Sequence, residues 1–400
     1  MEPAELRSRR LFAQGLRGPV VGAERSGGVR SSRADATASP PPTTPEGVVA
    51  RALAVQAQEY LPAQWGLAQR LPRSMRPDAA AVGGRIDEGA ILRTHVLRPT
   101  WHFVVPADAR WLLELSAPRV RQQMAGTIRK AGWDGEAGSR AVEVVAREVA
   151  GGHRTRGEIA EALVQAGLPK DGLLFVLLIA ELELVAISGA NVGAQRSYAA
   201  FDERVPAGPP RPREEALAEL VERAVLTRGP ATVRDLASWS GFTLRDVRAA
   251  LVEASDRTGG RIERIDDPDE TELWHDAAVA AAWSARDATD ATADDDPARI
   301  DLLQGYDEYV MGHAMPRAYL QPPGIAAPII PEFPLHAMLA GGTMIGRWAP
   351  VVQGRRATLR VVPWRAFARA ERRSLDERLD EVAEFLGMPS EVEIEPVAPA

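Results

Sequence analysis

The stretch that decides the fold is residues 155–163, TRGEIAEAL, together with the segment leading on to Tyr198. Thr155 stands three residues ahead of Glu158, the spacing at which a hydroxyl caps a helix and the carboxylate takes the N–H of the capping residue. Gly167-Leu168-Pro169 breaks that helix, and a second is expected from Gly172 to Leu182. Leu184–Ile187 then reads as a strand, and the region of Gly189 and Gly193 as a turn toward Tyr198. The same order recurs at 229–237, GPATVRDLA, with Thr232 and Asp235 at the capping positions. Residues 241–243, GFT, make the turn, Leu244 to Ala254 the second helix, and 260–274 a hairpin. Two helix–turn–helix–hairpin units at similar spacing form an internal repeat. They point to an α+β fold of tandem winged helices, in which one helix meets the major groove of DNA and the hairpin meets its backbone. Such units also serve protein–protein contacts.

Outward from the repeats, residues 45–105 read as a diverged third copy. Thr44 suits the N-cap, Pro45 the first helical position and Glu46 the first turn. That helix is expected to run to about Tyr60, because Pro62 disfavours helical geometry at Leu61. Further short helices are expected at 63–71 and near Ala90–Leu92. Residues 93–106, RTHVLRPTWHFVVP, read as strand, turn and strand around Pro99, with a helix starting at Asp108. Residues 5–17 read as a short helix, followed by a flexible Gly/Ser/Pro-rich linker. The C-terminal part (tracts beginning at Asp301, Thr343 and Ala357, a helix over Ser374–Leu386, a strand near Glu391–Glu395) reads as an α+β unit. The expected divisions are 1–44, 45–150, 151–210, 211–285 and 286–400.

The chain has 400 residues, 45% of them hydrophobic, enough for several packed units. The absence of cysteine removes disulfides, thiolate nucleophiles and cysteine-held metals. The histidines show no metal-ligand spacing, and no phosphate-binding glycine loop or nucleophile elbow is present. The most apolar run, Leu173 to Ile187, is interrupted by Glu181 and Glu183, and no apolar core succeeds the early arginines as in a signal peptide. A cytoplasmic, nucleoid-associated protein without membrane contact is expected. The net charge of −7 argues at first against a nucleic-acid partner. Its distribution argues the other way: Leu61–Lys130 holds eleven Arg/Lys against five acids, and Thr343–Arg373 eight Arg against Glu371 alone. Glu263–Val310 carries the compensating acids, so one face can be positive.

Two tracts, 48–71 (VVARALAVQAQEYLPAQWGLAQRL) and 93–115 (RTHVLRPTWHFVVPADARWLLEL), resemble the winged-helix DNA-binding-domain family of bacterial DNA glycosylases, of the azinomycin-resistance, crosslink-unhooking type. Residues 301–313 (DLLQGYDEYVMGH) and 341–352 (GGTMIGRWAPVV) extend the resemblance over most of 45–370. It implies three winged helices in a C-shape, a hairpin supporting DNA contact, and neither metal nor organic cofactor. It also implies that Gln56-Ala57-Gln58 is the catalytic motif. The expected partner is double-stranded DNA carrying alkylated bases or crosslinks, bound by a monomer, in general repair or in self-resistance. A non-catalytic winged-helix transcriptional regulator is the alternative, and an interaction scaffold a third reading.

The chemistry suits neutral amides. Alkylation at N7 of guanine or N3 of adenine charges the base, which then leaves without prior protonation. A site must hold the lesion, stabilise an oxocarbenium-like sugar and place a water. A Gln amide orients water without deprotonating it. On a helix, positions i and i+2 diverge by about 200°. Gln56 and Gln58 are therefore expected in the last turn of their helix or just beyond it. Other candidates for DNA or lesion contact are Arg98, Trp101, His102, Asp307, Arg355 and Arg356. His102, Asp307 and Glu308 also suit structural hydrogen bonding, Glu59 an exposed helix end, and the arginines plain surface charge. With two lysines in the chain, a lysine nucleophile is unsupported and monofunctional hydrolysis is expected.

Overall fold

The computed structural model describes residues 1–18, 42–193, 195–266, 272–286, 296–322, 333 and 335–397. The linker expected before Pro45 falls largely outside them. Ahead of it, α1 (Pro3–Ala13) is docked by its own arginines and by the turn after it. Arg10 Nε donates to the Pro230 carbonyl at 2.9 Å, and Arg17 reaches both Asp301 oxygens at 2.8 and 2.6 Å.

Thr44 accepts the Gly47 N–H at 3.2 Å and starts α2 (Pro45–Ala52) as expected. The helix does not reach Tyr60. Leu53, fully buried, adopts φ +69 and ψ −51, a strained conformation for a branched residue, and turns the chain into β1 (Val55–Gln56). Pro62 lies in the first turn of α3 (Tyr60–Ala68), where its missing N–H costs nothing, so it starts a helix rather than ending one. Asp78 caps α4 (Ala79–Asp87). No helix forms near Ala90–Leu92, which lead into β2 (Leu92–His95); β3 (Trp101–Val104) comes next, then α5 (Pro106–Lys130).

The next unit comprises α6 (Gly135–Val149), β4 (Arg154–Thr155), α7 (Arg156–Gln165), α8 (Leu173–Leu182), β5 (Ala186–Ser188), β6 (Ser197–Ala200) and α9 (Phe201–Arg204). Its successor has α10 (Arg213–Arg228), β7 (Ala231–Thr232), α11 (Val233–Ser240), α12 (Leu244–Arg257), β8 (Ile262–Asp266), β9 (Glu272–Asp276) and α13 (Ala277–Ser284). The reciprocal caps at Thr155/Glu158 and Thr232/Asp235 are both formed. The repeat reappears in the sheets, whose orders are β1-β3-β2, β4-β6-β5 and β7-β9-β8. In each, a short entering strand pairs with the returning strand of a hairpin.

The C-terminal part has β10 (Ile300–Leu302), α14 (Glu308–Met311), β11 (Ala337–Ala340), β12 (Thr343–Gln353), β13 (Arg356–Pro363), α15 (Arg369–Leu386) and β14 (Ser390–Ile394). They form one sheet in the order β10-β11-β12-β13-β14, the last pair parallel. Most of 301–313 is loop and helix rather than strand, because Asp307 caps α14 through the Tyr309 N–H. Leu375, Leu379 and Phe385 of α15 share one core with Val49, Trp65 and Phe103. The first repeat and the C-terminal sheet are therefore packed as a single body, which carries the loop 303–308 against β1.

Candidate active site

Pleating assigns the side chains of the first sheet to two faces. Gln56 lies opposite His102 in the register and Val55 opposite Phe103. Beyond Gln56, fully buried Ala57 points inward, and Gln56 and Gln58 line one cleft of about 480 Å³. The divergence expected on a helix does not arise, because this segment has left the helix. Arg98 and Thr100 form the rim from the β2–β3 turn; Arg119, Phe242 and Tyr306 add walls from α5, the α11–α12 turn and the loop after β10.

The hydrogen bonds set the polarity of both amides. Arg98 Nη2 donates to an oxygen of Gln56 at 2.8 Å, and a guanidinium has no acceptor, so Oε1 faces it. The Trp101 backbone N–H likewise donates to Oε1 of Gln58 at 3.3 Å. Neither amide nitrogen has a protein partner among the described residues, so both are left to donate into the cleft.

Behind the amides lies a buried ionic clamp. Glu308, 1% exposed, accepts the Gln56 N–H at 2.8 Å on one oxygen. Its other oxygen accepts Arg228 Nε at 3.2 Å, Arg228 Nη2 at 2.6 Å and Trp239 Nε1 at 2.9 Å. Arg228, wholly buried, also donates to the carbonyls of Ala52 and Ala54, on either side of strained Leu53. Burial opposes ionisation of Glu308, but Arg228 and the Gln56 N–H hold its pKa below the ordinary carboxylate value. Gln304 Nε2 adds a bond to the Gln56 carbonyl at 3.2 Å. The strained turn and the strand after it are thus held from the third repeat and the C-terminal part together.

Other expected site residues fall elsewhere. His102 is fully buried behind Gln56 and does not line the cleft, so DNA contact by its ring is closed off. Its Nδ1 lies 2.9 Å from the Thr100 carbonyl, which can only accept. The proton therefore sits on Nδ1, and burial with the Arg98 charge pushes the ring pKa down to about 3. Trp101 is on the opposite sheet face, between the His95 ring at 4.4 Å and Arg93 at 4.3 Å. Asp307 is buried and bound by Arg70 at 2.8 and 3.0 Å, which removes it as a pocket carboxylate. Glu59 lies 2.5 Å from His336 and off the cleft lining. Arg355 and Arg356 are exposed at the β12–β13 turn, outside the cleft. Much of the basic block around them is neutralised: Arg360 pairs with Glu393, Arg365 with Glu371 and Arg372 with Asp376.

Sequence reasoning missed Arg119, Gln123, Ser238, Phe242 and Met311 in the cleft, and Arg228 and Trp239 in the clamp. They come from segments remote from the Gln motif and carry no local pattern. Among the described residues, no group of three His, Asp or Glu side chains comes together as a metal site, and no helix is long and apolar enough to cross a membrane.

A mixed α+β chain with this repeat and cleft is a DNA glycosylase, a hydrolase acting on N-glycosyl bonds: residues 49–385 match the model described as DNA glycosylase AlkZ-like. The chain belongs to the AlkZ-like DNA glycosylase family. It is similar in fold to the solved structure of Streptomyces sahachiroi DNA glycosylase AlkZ, with a TM-score of 0.71 and 19% sequence identity over 99% of this chain and 100% of that one. No curated protein matches it.

Proposed function

We propose that this enzyme is a monofunctional glycosylase that hydrolyses the N-glycosidic bond of alkylated purines of the N7-alkylguanine type, crosslinked ones included, with Gln56 and Gln58 as its catalytic pair. The observation that carries this is the convergence of two amides on one cleft, each with its oxygen already taken. A water bound through one lone pair to one amide N–H keeps its other lone pair for C1′ of the sugar. The second amide donates to the flanking phosphate. Hydrolysis then needs no strong base: the C1′–N9 bond breaks as the alkylated base leaves as a neutral group, the water adds to the cationic sugar, and its proton passes to solvent. Arg98 acts on Gln56 as a positioning residue rather than on DNA.

In this reading the three repeats are winged helices, at 45–150, 151–210 and 211–285, with 286–400 closing the body and 1–44 leading in. They curve around duplex as a monomer. Arg355 and Arg356 stand exposed on their turn, as a DNA-backbone contact requires. Duplexes carrying N7-methylguanine or a nitrogen-mustard crosslink are expected to yield free modified base and an abasic strand. Sequence-selective binding of undamaged duplex without base release from either lesion favours the regulator reading instead.

A further inference from the structure

Three arginines gather on the sheet face turned away from Gln56. Arg93 on β2 lies 4.3 Å over the Trp101 ring, and Arg156, first residue of α7, lies 5.2 Å from the same ring. Arg196, just before β6, stacks 3.4 Å over Tyr60. Arg93 is anchored by the Ala57 carbonyl at 2.9 Å and that of Gln58 at 3.4 Å. Arg196 donates to Asn191 Oδ1 at 3.0 Å, and Arg156 Nε is buried with no partner.

None of the three has a carboxylate within 4.0 Å among the described residues. The neighbouring acids make their hydrogen bonds elsewhere, and the second Glu181 oxygen is buried without a partner. Asp87 Oδ1 accepts both N–H groups of Asn191 at 2.8 and 2.7 Å, and Glu181 Oε2 accepts from the backbone of His95 at 2.7 Å and from Thr94 at 3.1 Å. Burial, with Arg156 and Arg196 adding to it, brings Arg93 down to about 10, so it stays charged near neutral pH. Glu181 and Asp87 act on Arg93 and Arg196 only from beyond contact distance, so the like charges are incompletely balanced and raise the local potential for an anion.

The shape narrows the anion. The pocket among Tyr60, Arg93, Trp101, Asn191, Arg196 and Tyr198 is about 20 Å³, room for oxygen atoms but not for a base or a sugar. Guanidiniums already cover the Trp101 and Tyr60 rings, which leaves no face for base stacking. One oxygen of a phosphate can enter the space left and meet the guanidiniums.

We infer that Arg93 and Arg196, which line this pocket, and Arg156, beside it against Trp101 and Tyr198, form a phosphate site that takes one phosphodiester of duplex DNA between the first two repeats, across the sheet from the amide pair. The inference rests on the glycosylase reading only for duplex as the source of the phosphate. Contact of this kind positions DNA without reading sequence or lesion.

The test compares the wild-type enzyme with Arg156→Gln/Arg196→Gln, which leaves Arg93 on its carbonyls. Binding of undamaged duplex is measured against KCl concentration, and base release from an N7-methylguanine duplex under saturating single-turnover conditions. The log–log salt slope is expected to become shallower by about one, the change for one phosphate contact. Affinity is expected to fall by the same factor on damaged and undamaged duplex, with the saturated rate unchanged. An unchanged slope and affinity, with phosphate protection equally unchanged in the variant, overturns the site. Arg196→Gln alone gives the same reading if the double variant melts early. A second arm monitors thermal protection by inorganic phosphate: protection lost in the variant while the duplex slope is unchanged overturns the DNA source in favour of a free anion. A wild-type enzyme that binds duplex with the steeper slope yet releases no base leaves this site standing and removes the glycosylase assignment for that lesion. One that binds no duplex overturns the phosphodiester source.

Discussion

Replacing Glu308 by Gln removes one charge from a pair that is 1% and 0% exposed and keeps its shape. The carboxylate takes three N–H donors on one oxygen and the Gln56 N–H on the other. An amide has one oxygen, so its NH2 must face either the Arg228–Trp239 side or the Gln56 N–H, donor against donor. Arg228 also loses its counter-ion. Breaking one side of a buried pair costs about 3–5 kcal/mol. The carbonyls of Ala52 and Ala54 and the Trp239 ring, 3.8 Å from the guanidinium, still solvate Arg228. The lower end, about 3 kcal/mol, is therefore expected. Urea unfolding monitored by tryptophan fluorescence measures it, and base release is expected to fall as the Gln56 segment loosens. The double variant Glu308→Leu/Arg228→Met removes both charges and is expected to recover most of the lost stability, since an apolar pair of similar volume replaces the ionic one. A single-variant cost below about 1 kcal/mol, or a double variant no more stable than the single one, refutes the clamp.

Arg98→Met leaves Gln56 Oε1 unpaired and free to rotate its amide; the lost charged hydrogen bond, worth about 1.5–3 kcal/mol, is expected to lower the single-turnover rate roughly 10–100-fold at nearly constant duplex affinity. Arg98→Lys, which can still donate, is expected to restore part of the rate, and equal rates for all three proteins contradict the positioning role. Stability is expected to fall as pH drops through the acid range. Burial holds His102 near pKa 3 and His313 near 4 in the folded state, so below about 6.5 the unfolded chain binds protons that the folded one refuses. Each contributes a slope of about 1.4 kcal/mol per pH unit until its folded pKa is reached, and Glu308 and Asp301, held low by arginines, add in the same direction at more acid pH. Unfolding free energies between pH 7 and 4.5 check this, and His102→Gln is expected to flatten the curve; a wild-type profile flat over that range contradicts it.

The two clean repeats were legible because their information is local: Thr155/Glu158 and Thr232/Asp235 declare helix starts, and glycines mark the turns. The diverged copy was legible only as strand–turn–strand around Pro99. Its first helix reads as running to Tyr60 because Val48, Val49, Leu53 and Val55 keep an apolar pattern. It ends at Ala52 because Arg228 and Glu308 hold residues 52–56 from 174 or more positions away. Strand geometry at Gln56, and with it the shared direction of the two amides, is thus a tertiary effect that no local window contains. The same holds for Trp101 and His102, both read as candidates for DNA contact: pleating puts them on opposite faces of β3, and which face meets the cleft depends on Phe242 and Tyr306. Asp307 suits either a contact or a structural role in sequence, and takes the structural one because Arg70 reaches it from just beyond α3.

The most direct test is single-turnover release of N7-methylguanine from duplex DNA by the wild-type enzyme, Gln56→Ala and Gln58→Ala, with folding checked by circular dichroism. The wild type is expected to release the base, and each variant, folded and still binding duplex, to do so at least tenfold more slowly. Undiminished release by both folded variants contradicts the assignment of catalysis to the amide pair.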